Sequence, residues 1–176
     1  MAKPNPVAPK TTTAAKFGPG ILRGEKCGLA VVQDIVRYRA DLGTALAVLE
    51  PLYRRAASKS DRQRTVRFVT ADLVNRQALA EFAVRDVGGI PEWIAARLNG
   101  QGDAFALRTS FVALAEDAIV GVVLTVPRQD VLVFENKTVD VRHRGGWINL
   151  ALMYLSAAAA DRLGVQVVEF ENDTRN

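Results

Sequence analysis

Thr138-Val139-Asp140-Val141-Arg142-His143-Arg144-Gly145-Gly146-Trp147-Ile148-Asn149 is the stretch on which the fold turns. It joins the end of a β-rich run to the start of a strongly apolar helix through a basic turn with two glycines. Backbone N–H groups at a helix start lack intrahelical partners, and the helix dipole adds partial positive charge there. Glycine lets an anion approach such a turn closely, so the stretch predicts an anion site on the backbone of residues 142–149. Arg142 and Arg144 bring full charges to the same place. His143 between them reads as an aromatic spacer or a donor to phosphate rather than as a catalytic group.

The composition bounds what this turn can belong to. The chain has 176 residues, enough for one domain with a core and a modest extension. No apolar run approaches the ~20 residues of a membrane-spanning helix, so no membrane partner is expected. A single cysteine, Cys27, excludes an internal disulfide framework and fits a reducing, cytoplasmic setting. One histidine and one cysteine far apart predict no metal site. The net charge of +4 is uneven: residues 1–64 hold twelve Lys/Arg against five Asp/Glu, and residues 65–176 hold eleven against fourteen. A basic arm of this kind can touch a polyanion, although a solvated extension accounts for it as well, and nucleic acid is not the expected partner.

Two regions follow from this. Residues 1–64 read as a basic N-terminal extension, flexible at first and then partly helical. Pro4, Pro6, Pro9 and Pro19 with five basic side chains keep residues 1–26 from burying much. Leu42, Ala45, Leu46, Leu49, Leu52 and Tyr53 recur at helical spacing, with an interruption expected near Pro51. Residues 65–176 read as the folded domain. Val66–Val69 predicts a strand, Asp72 an N-cap for a helix to about Val84 with Leu73 on its apolar side, and Ile90-Pro91-Glu92 a second helix with Trp93 facing inward. Phe111–Ala115 and Ile119–Val126 form a hairpin about Glu116-Asp117, and Val131–Val141 a third β run. Helix Ile148–Leu163 stops at Gly164, and Val165–Phe170 closes the order β-α-α-β-β-β-α-β in a mixed α/β (α+β) fold. The final β-α-β step implies parallel neighbours.

From about Val66 to Asn176 the chain resembles the GNAT superfamily of acyl-CoA-dependent N-acyltransferases. The hairpin and third strand carry the resemblance, with Arg144-Gly145-Gly146-Trp147-Ile148-Asn149, Leu152-Met153 and Glu171-Asn172-Asp173-Thr174-Arg175-Asn176. The resemblance implies a GNAT-like mixed sheet and an acyl-CoA-binding domain at 65–176, with acetyl-CoA or another acyl-CoA as co-substrate. It implies that the turn, in the family Arg/Gln-x-x-Gly-x-Gly/Ala, holds the coenzyme A pyrophosphate, and that the strand before it splays from its neighbour to bond the pantetheine arm. Val139, Val141, Arg142, His143, Arg144, Gly145, Gly146, Trp147, Ile148, Asn149, Asn172 and Asn176 become the cofactor-binding candidates. One register of the motif starts at Arg142 and one at Arg144; the helix hydrophobics favour the second. In either, Trp147 stands where the family has a small residue, and its ring either crowds the cofactor or packs on the sheet.

The resemblance also implies an amine acceptor, small molecule or protein, that attacks the thioester directly. Such chemistry needs two substrates held together, a base, and donors to the thioester oxygen. Glu135, on the third β run with the facing parity of Val139 and Val141, and Glu171, at the end of the last strand, are the candidate bases. The family adds a further helix and two strands after its fifth strand, often with a tyrosine that protonates the departing thiolate. The sequence stops at Asn176, so the chain is expected to be a fragment, a divergent member whose sheet ends open, or one whose sheet another chain completes, as in a homodimer. A non-catalytic GNAT-like binding module and a polyanion binder acting through the arm are the competing readings.

Overall fold

The computed structural model of the chain describes residues 35–58, 66–85, 89–144 and 147–173, with the side chains of 35–37 and 171–173 outside the description. Its elements are β1 (Ile35–Asp41), α1 (Leu42–Ser58), β2 (Val66–Thr70), α2 (Arg76–Val84), α3 (Pro91–Leu98), β3 (Phe111–Ala115), β4 (Ala118–Arg128), β5 (Val131–Val139), α4 (Trp147–Arg162) and β6 (Val167–Asp173). From β2 onward this is the order expected from the sequence. One six-stranded sheet runs β1-β6-β5-β4-β3-β2, antiparallel except for the parallel β5–β6 pair that α4 connects. Among the described residues no helix is long and apolar enough to cross a membrane.

The alternation of β4 shows the layers. Val122, Leu124 and Val126 join the core under α2 and α3, while Val123 joins the core under α1 and α4. Gly121 sits beneath the first turns of α4: a Cβ there would come within 2.9 Å of Ile148 Cγ2 and 3.1 Å of Leu152 Cδ1. The missing side chain lets the helix lie down on the strand. Gly164, at φ +78°, stops α4 in the left-handed conformation that glycine adopts freely.

Residues 35–58, which the sequence places in the N-terminal extension, join this same sheet. β1 pairs with the outer side of β6 from Ile35 opposite Asp173 to Asp41 opposite Val167. The edge expected to stand open or await another chain is therefore covered by the chain's own N-terminal strand. α1 then packs back across α4, with Tyr53 and Tyr154 stacked at 4.7 Å between ring centroids. α1 also runs straight through Pro51, which lies on its exposed side, so the expected interruption does not occur.

Three local expectations are corrected. Asp72 does not cap α2: Thr70 precedes a short 3₁₀ turn, Ala71–Leu73, and Asn75 is the N-cap, its Oδ1 accepting from the Ala78 amide at 3.0 Å. The two-residue break after that turn rotates Leu73 out to solvent. Trp93 is 56 % exposed rather than inward, because Ile94 and Leu98 take the core positions of α3. β5 ends at Val139, since Asp140 caps a 3₁₀ turn over Val141–His143.

Candidate active site

The ladder between β5 and β6 runs only from Val131 opposite Val167 to Phe134 opposite Phe170. Beyond that rung β6 stays with β1, while β5 stays with β4 as far as Val139. The sheet is thus split between two parallel strands, and the split opens toward the turn at the head of α4. Phe134 and Phe170, stacked at 4.8 Å, mark its closed end.

A β-bulge lies at that closed end. Leu124 faces Asn136 and Thr125 faces Phe134, so Glu135 is the extra residue of β5. Buried hydroxyl groups fix β4 opposite it: Thr125 N–H donates to Ser110 Oγ at 3.0 Å, and Thr109 and Thr125 share a hydrogen bond of 2.7 Å. The bulge overturns the parity read from sequence. Glu135 turns to the α2–α3 face, where α3 meets it, whereas Val139 packs on the α1–α4 core. Arg97 of α3, only 6 % exposed, donates to both Glu135 carboxylate oxygens, through Nη1 to Oε1 and through Nη2 to Oε2 at 2.9 Å. Its Nε donates to the Asp103 carbonyl at 2.8 Å, and its guanidinium carbon lies 4.6 Å and 4.1 Å from the ring centroids of Trp93 and Phe105. Arg128 approaches the same carboxylate at 3.9 Å. Both oxygens of that carboxylate are thus engaged by the Arg97 guanidinium.

Asp140 organises the open end. Its side chain is buried, and its Oδ1 accepts from the Arg142 amide at 2.9 Å and from Arg142 Nε at 3.1 Å. Its Oδ2 accepts from Arg142 Nη2 at 3.2 Å and Arg85 Nη1 at 3.1 Å. The Arg142 hydrogen bonds, first from the side chain and then from the backbone, hold the Asp140 carboxyl well below the ordinary aspartate range, and the nearby Arg142 and Arg85 charges add to them against the effect of burial. The Arg142 guanidinium is correspondingly held protonated.

Each predicted cofactor-binding residue can be placed against this frame. The amides of Arg142, His143 and Arg144 are already bonded inside the turn, to Asp140 Oδ1, the Asp140 carbonyl and the Val141 carbonyl. The amides that precede the first i→i−4 bond of α4 are those of Trp147, Ile148 and Asn149. Arg144 donates through Nε to the Val139 carbonyl at 3.1 Å, and Val141 is exposed. His143 Nδ1 is buried and has no hydrogen-bond partner among the described residues; it lies 3.9 Å from Asp140 Oδ1. Trp147 turns from the turn onto the sheet, edge-on to Phe68 with centroids 5.5 Å apart. Asn172 is a β6 residue opposite Val36, and Glu171 is the first β6 residue past the last rung with β5. Gly145, Gly146, Asn176 and Cys27 lie outside the described residues. Among the described residues no group of three or more His, Cys, Asp or Glu is placed to hold a metal.

Sequence reasoning missed Arg85, Arg97, Arg128 and Asp140. Only Asp140 carries a local signal, an aspartate two residues before the amide it caps. Arg85 and Arg97 meet their carboxylates across 55 and 38 residues, and Arg128 meets Glu135 only through the register of the β4–β5 hairpin.

No protein-family model and no curated protein sequence matches the chain. Solved structures do. A GCN5-related N-acetyltransferase from Sphaerobacter thermophilus matches at TM-score 0.50 and 20% identity, over 64% of this chain and 38% of that one. An aminoglycoside acetyltransferase from an uncultured soil metagenomic sample, in complex with trehalose, matches at TM-score 0.52 and 17% identity, over 66% and 83%. A functionally unknown conserved protein from Staphylococcus epidermidis matches at TM-score 0.51 and 14% identity, over 81% and 52%. The chain therefore spans little more than a third of the first of these proteins and about half of the third. The chain has the fold of the GNAT superfamily, a mixed α/β sheet parted between two parallel strands.

Proposed function

We propose that this protein is an acyl-CoA-dependent N-acyltransferase that moves an acetyl or other short acyl group from coenzyme A to a primary amine. The observation that carries the reading is the parting of β5 and β6 after Phe134 and Phe170, in line with the first turn of α4. Strand edges that no longer pair with each other suit the amides of a pantetheine arm. The first-turn amides of α4, with two guanidinium groups set on one buried carboxylate, suit a pyrophosphate. The residues present thus fit coenzyme A, and Val139, Arg142, Arg144 and Trp147–Asn149 would hold it.

In the reaction the amine nitrogen attacks the thioester carbonyl carbon, a C–N bond forms and the C–S bond breaks. The thiolate leaves and takes up one proton, and the amine gives one up. Of the two candidate bases, Glu135 is engaged by Arg97, so we assign proton removal to Glu171 or to water and give Glu135 the part of anchoring Arg97. A small-molecule or protein amine as acceptor and a cytoplasmic setting, where acyl-CoA is supplied, belong to the same proposal.

Titration calorimetry with coenzyme A, followed by thiol release from acetyl-CoA over an amine panel, tests the reading. Saturable binding and amine-dependent thiol release support it, and absence of binding at about millimolar ligand contradicts it. The Arg97–Glu135 pair favours one second reading, a binding module without catalysis. Coenzyme A binding with no thiol release from any amine would select that one.

A further inference from the structure

The two ends of the split carry the same charge arithmetic. Arg85 and Arg142 face Asp140 at the open end, and Arg97 and Arg128 face Glu135 at the closed end. Counting these contacts among the described residues, each group has one more guanidinium than carboxylate. Glu135 and Asp140 are five residues apart, about 16 Å along a strand. The phosphates of a coenzyme bound at the head of α4 account for the surplus at the open end, and they do not reach the other.

The surplus at the closed end has an identifiable bearer. Arg97 is buried, sandwiched between two rings and bonded to both oxygens of Glu135. Arg128 is 40 % exposed and touches the carboxylate only at 3.9 Å, so its guanidinium remains available to a ligand. The opposite face of β5 is closed at this level, because Phe134 is fully buried in the core beneath α1 and α4. On the α2–α3 face Arg128 is the more exposed of the two guanidinium groups, so an amine that reaches the thioester end over that face passes Arg128.

Resting on the transferase reading, we propose that the acceptor is an amine that also carries an anionic group, such as a carboxylate, and that Arg128 receives that group. A polycationic acceptor meets an uncompensated guanidinium there and is disfavoured. Complementary charge of this kind selects among partners more than it adds affinity.

The test uses three amines of matched length: 4-aminobutanoate, 4-aminobutanamide and 1,4-diaminobutane. Each is titrated into the full chain with and without saturating coenzyme A, and coenzyme A binding is measured separately. Loss of coenzyme A binding counts against the transferase reading, while the order of the three amines decides this inference. The expected order is carboxylate, then amide, then diamine, with about tenfold or more between first and last. Arg128→Glu reverses the order and Arg128→Gln levels it, both without weakening coenzyme A binding. Equal binding of the three amines, binding of none, or an order unchanged in Arg128→Glu would overturn the inference.

Discussion

The two ends of β5 solve the same electrostatic problem in opposite ways. At the Glu135 bulge the buried partner is the cation: Arg97 is 6 % exposed and reaches its carboxylate from between two aromatic rings. At the turn the buried partner is the anion: Asp140 is 6 % exposed, while Arg142 is 78 % exposed. Burying a charge is costly unless it is paired and hydrogen-bonded, so whichever member is buried depends on its partner. At the bulge, loss of Glu135 strands Arg97. At the turn, loss of Asp140 releases two arginines into water. The bulge group is a structural lock with one loose cation, and the turn group is a scaffold for backbone amides.

The largest effect expected from this contrast is at the bulge. Glu135→Ala leaves Arg97 buried without a counter-charge and should cost about 3–5 kcal/mol in denaturant unfolding. The double replacement Glu135→Leu with Arg97→Met should recover most of that loss, because a buried pair is often worth no more than well-packed apolar groups. A double variant as unstable as the single one would show that the lock is not electrostatic.

Next comes packing at the turn end. Gly121 lies opposite Val139, directly under α4. Gly121→Val must push Ile148 and Leu152 away and should cost about 1–3 kcal/mol, with coenzyme A binding weakened because the head of α4 moves. Asp140→Ala removes one cap on the Arg142 amide and should cost only about 1 kcal/mol, well below Glu135→Ala. Its effect on coenzyme A binding should exceed its effect on stability. If the two alanine variants were equally unstable, the contrast between the ends would fail.

The smallest effect is in pH dependence. The folded-state pKa of Asp140 is depressed, so the unfolded state binds protons first as pH falls. Its stabilising contribution is complete above the ordinary aspartate value of 3.8 and is lost as pH falls through the lowered one. The stability gap between the protein and Asp140→Asn should stay constant from neutral pH to about 5 and close in stronger acid. A gap that closed near neutrality would point to another group.

Much of this was legible in the chain. Periodicity and punctuation give the run from β2 to β6 in the right order, because Pro91, Gly100, Gly164 and the Glu116-Asp117 turn act locally. β1 was not legible as part of the sheet, although Val36, Tyr38 and Ala40 alternate with Arg37, Arg39 and Asp41, since its partner β6 lies about 130 residues away in the chain. A bulge leaves no compositional mark either, yet one extra residue reverses every facing after it, which moved Glu135 to the other side of the sheet. The anion turn was read from Arg142, Gly145 and the helix that follows, whereas the aspartate that holds it looked like an ordinary strand end.

On the transferase reading, the split between β5 and β6, ending at the head of α4, receives coenzyme A. Titration calorimetry of coenzyme A into the protein and into Arg144→Glu tests it most directly. The expected result is saturable binding that weakens as salt is raised and is lost in the variant, where a carboxylate replaces the guanidinium beside Val139. No saturable heat at about millimolar coenzyme A, or binding of equal strength in Arg144→Glu, would contradict it.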